Sequence, residues 1–193
     1  MKKQCLPWFL LALLLAGCAG HQPKHATSQI PGLTNTSLHI LADNTRHLPR
    51  KGTFDWGVSY FQIDNELKVD LAVLNDRVHA ALLRELTTSK HFTLQKANPQ
   101  YLVGYAVAAG DNIDEKSLND AYGEDLKVPA KNPGTSLKYK RGVLIVDIIN
   151  ARTKHLLWRG AIGAAVDMNV SEEQKQQRIR AAVAELLKHF PKA

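Results

Sequence analysis

The spacing of apolar residues changes along this chain, and each change marks a new element. Leu38–Leu41 reads as a short strand, and Thr53–Ile63, rich in β-branched and aromatic residues, as a longer one. Asp43-Asn44-Thr45 and Pro49-Arg50-Lys51-Gly52 between them are turn and loop chemistry. The period then becomes helical. Leu71, Leu74, Val78, Ala81, Leu82 and Leu86 recur at spacings of three and four, which predicts an amphipathic helix over Val69–Ser89. Arg77, Arg84 and Glu85 fall on its wet face, and His79 reads as a partly exposed helix residue rather than a metal ligand. Strands at Phe92–Gln95 and Tyr101–Ala109 follow, with a turn at Asn98-Pro99 between them.

The last third is the most regular. Tyr139–Ile149 is almost continuously apolar after Arg141, Asn150–Lys154 reads as a hairpin loop, and Leu156–Asp167 returns as the partner strand. Its small residues Gly160, Ala161, Gly163 and Ala164 are expected to permit close packing. If the hairpin register puts Asp147 and Arg159 on one face, they form a cross-strand ion pair, a structural role favoured over catalysis. Ser171-Glu172-Glu173-Gln174 is a capping box, and Ile179, Ala182, Val183, Leu186, Leu187 and Phe190 form the apolar stripe of a helix that Pro191 closes. Lys188 and His189 in its last turn suit the helix dipole. The fold expected from these elements is α+β: a two-layer domain over residues 36–193, with two amphipathic helices on one face of a mainly antiparallel sheet of about six strands.

Ahead of this domain the pattern is different. Met1-Lys2-Lys3 is followed by an uncharged apolar run from Leu6 to Ala16. That run fits the apolar region of a signal peptide but falls short of the about 20 residues that span a bilayer. Leu15-Ala16-Gly17-Cys18 resembles the lipobox of bacterial lipoprotein precursors. The resemblance implies a diacylglyceryl thioether on Cys18, cleavage after Gly17, and acylation of the new amino terminus. The alternative is ordinary secretory cleavage after Ala19 with Cys18 discarded; the agreement of all three parts of the leader favours lipidation. Position 19 is Ala rather than the Asp that retains enterobacterial lipoproteins at the inner membrane, so the same resemblance points to the outer membrane, with the domain facing the periplasm. Residues 19–35 lack apolar periodicity and read as a tether, about 20 Å across as a coil and about 60 Å at full stretch. His21 and His25 in it are linker histidines, since nothing there predicts the helix that would fix a metal pair.

Loss of the leader removes Lys2 and Lys3 from the 25 basic residues and leaves 18 acidic ones opposed by 23, a net charge of +5. Cys5 departs with the leader and Cys18 is consumed by lipid, so no thiol remains for a disulfide or a cysteine–metal site, and a hydrophobic core must hold the fold. Residues 110–136 form an excursion low in large apolar residues. Its first part carries Asp111, Asp114, Glu115, Asp120, Glu124 and Asp125. Asp111-Asn112-Ile113-Asp114 lacks the alternating oxygen ligands, central glycine and terminal glutamate of a calcium loop, so the segment reads as a solvated acidic excursion. Lys138-Lys140-Arg141 and Arg152-Lys154 fall at opposite ends of one strand, about 35 Å apart, and make no single basic patch.

Thr53-Phe54-Asp55-Trp56, the Leu74–Leu86 helix, Asn98-Pro99-Gln100-Tyr101-Leu102-Val103-Gly104-Tyr105, Gly142-Val143-Leu144-Ile145-Val146-Asp147, Leu157-Trp158-Arg159-Gly160 and a closing Phe190-Pro191 occur in that order. Together they resemble a large family of bacterial lipoproteins that share one domain of unknown function, DUF4136, over roughly Leu38 to Pro191. Many members carry a Gly/Tyr/Trp-rich insertion where this chain has its acidic segment, so a partner of that insertion does not carry over. The family brings no established activity and therefore no catalytic or binding residue; it implies fold class and envelope address.

Two functions compete. The favoured one is a non-enzymatic, membrane-anchored binding or structural module, its partner another envelope protein, peptidoglycan or a lipid-transport assembly, with Tyr60, Tyr122 and Tyr139 as candidate contacts. Nucleic acid is disfavoured as a partner. The alternative is a hydrolase of cell wall or lipid. The sequence holds no Gly-x-Ser-x-Gly elbow, no His-Glu-x-x-His and no catalytic cysteine, and His91, His155 and His189 are scattered. No catalytic, metal or cofactor residue is assigned. Replacing Cys18 with Ser is expected to abolish metabolic acyl labelling and to move the chain from the membrane to the soluble fraction; persistence of both would refute the lipobox.

Overall fold

The hairpin legible at the end of the sequence supplies two inner strands of the sheet. In the computed structural model, residues 33–42, 48–111 and 139–191 are described, together with 113, 114, 116, 118 and 120. The leader with Leu15, Ala16, Gly17 and Cys18, the tether histidines His21 and His25, and residues 121–138 with Tyr122 and Lys138 lie outside the described residues, as does the side chain of Tyr139.

The strands are β1 (Leu33–Ala42), β2 (Gly52–Ile63), β3 (Phe92–Leu94), β4 (Tyr101–Gly110), β5 (Tyr139–Asn150) and β6 (Leu156–Asp167); the helices are α1 (Leu71–Arg84) and α2 (Glu172–Lys188). The sheet order is β1-β6-β5-β4-β2-β3. The pairs β1–β6, β6–β5 and β5–β4 are antiparallel, as expected, whereas β2 runs parallel to both β4 and β3. Parallel neighbours need a crossover, and α1 between β2 and β3 supplies it. The turn at Asn98-Pro99 therefore does not close a hairpin: it carries the chain past the start of β2, which separates β3 from β4. Gln100 holds that passage, its amide donating to the Thr53 carbonyl (3.1 Å) and its Oε1 accepting from the Thr53 amide (3.0 Å). β1 begins at Leu33, five residues ahead of the strand expected at Leu38, because pairing with β6 resumes beyond an irregularity between Thr34 and Ser37.

α2 starts at the capping box expected from the sequence, and α1 starts at Leu71, two residues after the expected Val69, behind an Asp70 cap. The Asp70 carboxylate accepts from the amides of Ala72 and Val73, and Ser171 and Gln174 exchange the two bonds of the capping box. α1 is followed by a wider turn at Glu85–Ser89, where the hydroxyls of Thr87 and Thr88 bond the carbonyls of Leu83 and Arg84 and Leu86 is fully buried. The C-terminal end of α2 is closed by Lys90, whose buried ammonium donates to the Phe190 carbonyl at 2.7 Å.

Strand alternation divides the side chains between two faces. The helix face carries Phe54, Val103, Tyr105, Val146, Ile148 and Trp158 against Val78, Leu82, Leu86, Val183, Leu186 and Phe190. Trp158 lies edge-on to Phe190, and its ring crosses Gly160, where a Cβ would stand 2.4 Å from the indole; close packing at that glycine is as expected.

The opposite face corrects one expectation. The acidic segment is not simply solvated at its start: Ile113 (7% exposed) and Leu118 (1%) pack with Ala106, Ala108, Val143, Ile145 and Ala161. Two apolar residues are too few to show a period, yet small alanines in the sheet leave room for both. Asp111 pins the segment, its carboxylate pairing with Lys140 and its carbonyl accepting from Arg141 (2.6 Å), so this part of the basic patch faces an acid.

Asp147 and Arg159 stand opposite each other on that same face, joined by two bonds of 2.6 Å, Nε to Oδ1 and Nη2 to Oδ2. The expected cross-strand ion pair is present, and Asp147 is 7% exposed. Breaking a buried pair leaves an uncompensated charge, so Asp147→Leu is expected to cost about 3 kcal/mol in urea unfolding, and the double change Asp147→Leu/Arg159→Leu much less.

Candidate functional site

On the helix face, one row across the sheet is made of very small residues. Ala109 on β4, Gly142 on β5 and Ala164 on β6 are register partners in turn, with Ile63 on β2 beside Ala109. The next row is Phe61, Val107, Leu144 and Ile162, large enough to meet the helices. Above the small row, between the first two turns of α1 and of α2, lies a cavity of about 410 Å³. Its walls are apolar: Val73, Leu74 and Val78 on α1, Ile179 and Ala182 on α2, and Leu33 at the start of β1. The size is in the range of small-molecule sites, and an apolar wall with few convergent polar groups is what such sites have in common.

The polar groups stand at the end of the cavity where both helices begin. Lys68, Arg77, Lys175 and Arg178 face Asp70, Asp167 and Glu172 there. The acids have assigned work. Asp70 caps α1, Asp167 Oδ1 accepts from the Asn169 amide (2.9 Å), and Glu172 bridges Lys175 (2.7 Å) and Arg77 (2.6 Å). Those two bonds, Lys175 first, hold the Glu172 carboxyl below its ordinary pKa. Arg178 is different. It is 8% exposed, lines the cavity, and donates from Nη1 to the Asp167 backbone carbonyl. Among the described residues no carboxylate pairs with it.

Sequence reasoning did not single out Arg178. It sits four residues before Ala182 and eight before Leu186, inside the stripe that α2 buries, and a charge at a stripe position was the available signal. The row of small residues was also out of reach, because it forms only once the register of three strands is known.

Of the residues the sequence did single out, His79 is the most engaged. Its ring stacks on Trp56 (centroids 4.0 Å apart, planes 13° from parallel) and meets Tyr105 edge-on. The Tyr105 hydroxyl donates to Asn75 Oδ1 at 2.6 Å. Burial lowers the His79 pKa from 6.5 against an opposing pull from Asp76, and burial raises that of Tyr105. This cluster lies on α1, β2 and β4, and none of its residues lines the cavity. His91, His155 and His189 are exposed, and among the described residues no group of three His, Cys, Asp or Glu gathers as for a metal ion. Tyr60 is 44% exposed on β2. Among the described residues no helix is long and apolar enough to cross a membrane.

Residues 43–192 match the domain of unknown function DUF4136. The chain belongs to that family. The DUF4136 match takes in both helices and every strand except β1, so Leu33 contributes to the cavity from outside the matched segment. No curated protein matches the chain. Among solved structures, the dodecamer of a PelC point variant from Paraburkholderia phytofirmans is similar at 8% identity and a TM-score of 0.47, over 81% of this chain and 98% of that one. A PelC dodecamer from the same organism is similar at 9% identity and a TM-score of 0.45, over 82% and 99%. A PDZ domain protein from Parabacteroides distasonis follows at 11% identity and a TM-score of 0.44, over 83% of this chain and 36% of that one.

The lowered His79 pKa sets a pH dependence. The folded chain takes up this proton less readily than the unfolded chain, so the contribution to stability is whole above pH 6.5 and is lost as pH falls below that value. His79→Phe keeps a ring on Trp56 and removes the proton. Urea unfolding is expected to weaken less between about pH 7.5 and 5.5 in this variant than in the parent; parallel pH profiles would rule out His79 as the source.

Proposed function

We propose that this DUF4136 chain is a lipid-anchored lipoprotein of the outer membrane whose periplasmic domain is a non-enzymatic binding module, and that its binding site is the cavity between α1, α2 and the small-residue row. The observation that carries the proposal is the cavity itself: about 410 Å³ kept open over Ala109, Gly142 and Ala164 in an otherwise close-packed helix–sheet interface. An apolar site on a membrane-tethered domain suits a guest that leaves or enters a bilayer. The lipobox at Leu15-Ala16-Gly17-Cys18 and Ala19 support the address.

The hydrolase alternative draws less support. A neutral His79 stacked on an indole and a Tyr105 whose phenol is held protonated do not form an activated nucleophile–base pair.

The full chain held in amphipol is expected to enhance the fluorescence of N-phenyl-1-naphthylamine to saturation at one probe per chain. Ala164→Leu raises part of the cavity floor and is expected to weaken that signal while leaving thermal unfolding unchanged or higher. Equal signals from both chains would overturn the cavity as the binding site.

A further inference from the structure

We infer that the cavity binds an acyl chain ending in an anion, carboxylate or phosphate, and that Arg178 is the residue that receives the anionic head. The inference rests on the cavity being the binding site.

The shape of the guest follows from the walls. Val73, Leu74, Val78, Ile179 and Ala182 offer no hydrogen-bonding side chain, so the buried part of the guest is hydrocarbon. The volume of about 410 Å³, at about 30 Å³ for a group the size of a water molecule, takes on the order of a dozen methylenes. Polar side chains gather at one end only, which places the head there and the chain above the small row.

The charge of the head follows from Arg178. A guanidinium has five donors and a permanent charge, and buried charges in folded proteins are paired. Here the buried Arg178 has one bond to a backbone carbonyl and, among the described residues, no carboxylate partner, while it lines the cavity. The neighbouring acids are engaged elsewhere: Asp70 caps α1, Asp167 Oδ1 accepts from the Asn169 amide, and Glu172 pairs with Arg77 and Lys175. A neutral guest would leave that charge desolvated and uncompensated. An anionic guest supplies the missing partner, and a planar carboxylate or a phosphate matches the guanidinium fork with two parallel bonds. The surroundings work in the same direction. Both helices present their N-terminal, positive ends to this end of the cavity, and Lys68 stands beside them.

Equilibrium dialysis of radiolabelled dodecanoate, dodecyl phosphate and dodecanol against the full chain in amphipol, with Ala164→Leu as the reference, tests the inference. One or both anions are expected to bind at least about tenfold more tightly than dodecanol, and the preferred head distinguishes a free fatty acid from a phosphate-bearing lipid. Arg178→Met is expected to remove the preference while dodecanol binding persists, which also shows that the variant folds; Arg178→Lys is expected to keep part of it. Dodecanol binding as tight as the anions, or an unchanged preference in Arg178→Met, would overturn the head-group assignment and leave the cavity reading standing. Binding of no chain above that reference would overturn both.

Discussion

The helix-facing side of this sheet is bulky at one end and nearly flat at the other, and the two helices have to pack on both. At the first end the rings of Phe54, Phe92, Trp158 and Phe190 meet edge-on or tilted, beside the fully buried Leu186 and Leu187. At the second, Ala109, Gly142 and Ala164 lie side by side and raise almost nothing above the backbone. A helix is a stiff rod about 10 Å across, so it cannot follow a step of that size. The aromatic end holds both helices, and the cavity lies over the small row, with the Val166 side chain leaning across Gly142.

Electrostatics follow the same axis. Because α1 and α2 both begin over the small row, both helix N-termini, with their positive potential, gather at the cavity end. The C-terminal end of α2 lies at the aromatic end, where buried Lys90 meets the Phe190 carbonyl. The chain thus treats three buried charges in three ways. Asp147 and Arg159 satisfy each other across a strand pair, Lys90 is satisfied by a helix end, and Arg178 has only a single carbonyl. The first two are closed structural arrangements. The third is open, and it is the one that faces the cavity.

What the sequence revealed and what it hid divide along a physical line. Local signals read correctly: the caps at Ser171 and Gln174, the apolar stripes of both helices, and the hairpin that pairs Asp147 with Arg159. Features made by partners distant in sequence were hidden. The parallel pairing of β2 with β4 depends on where α1 returns the chain, not on the residues of either strand. The burial of Ile113 and Leu118 depends on alanines in two strands, β4 and β6, and on Val143 and Ile145 in β5. The small residues of β6 looked alike, yet Gly160 takes the Trp158 ring whereas Ala164 lines the cavity, and only the fold distinguishes the two.

The position of Leu33 ties the cavity to the proposed anchor. It is the first residue of β1, it lines the cavity, and it lies just 14 residues after Ala19 begins the stretch that follows Cys18. Taken as the coil its composition suggests, a stretch of that length spans about 20 Å. An anchor at Cys18 would therefore meet the domain at the end where the helices start and the cations gather, rather than at the aromatic end. A domain hung this way would bring its charged end toward the bilayer, where anionic head groups and acyl chains are concentrated. An anchor at the opposite end, beside Phe190, would have set the cavity about one helix length farther from the membrane, at about 1.5 Å for each residue of α2.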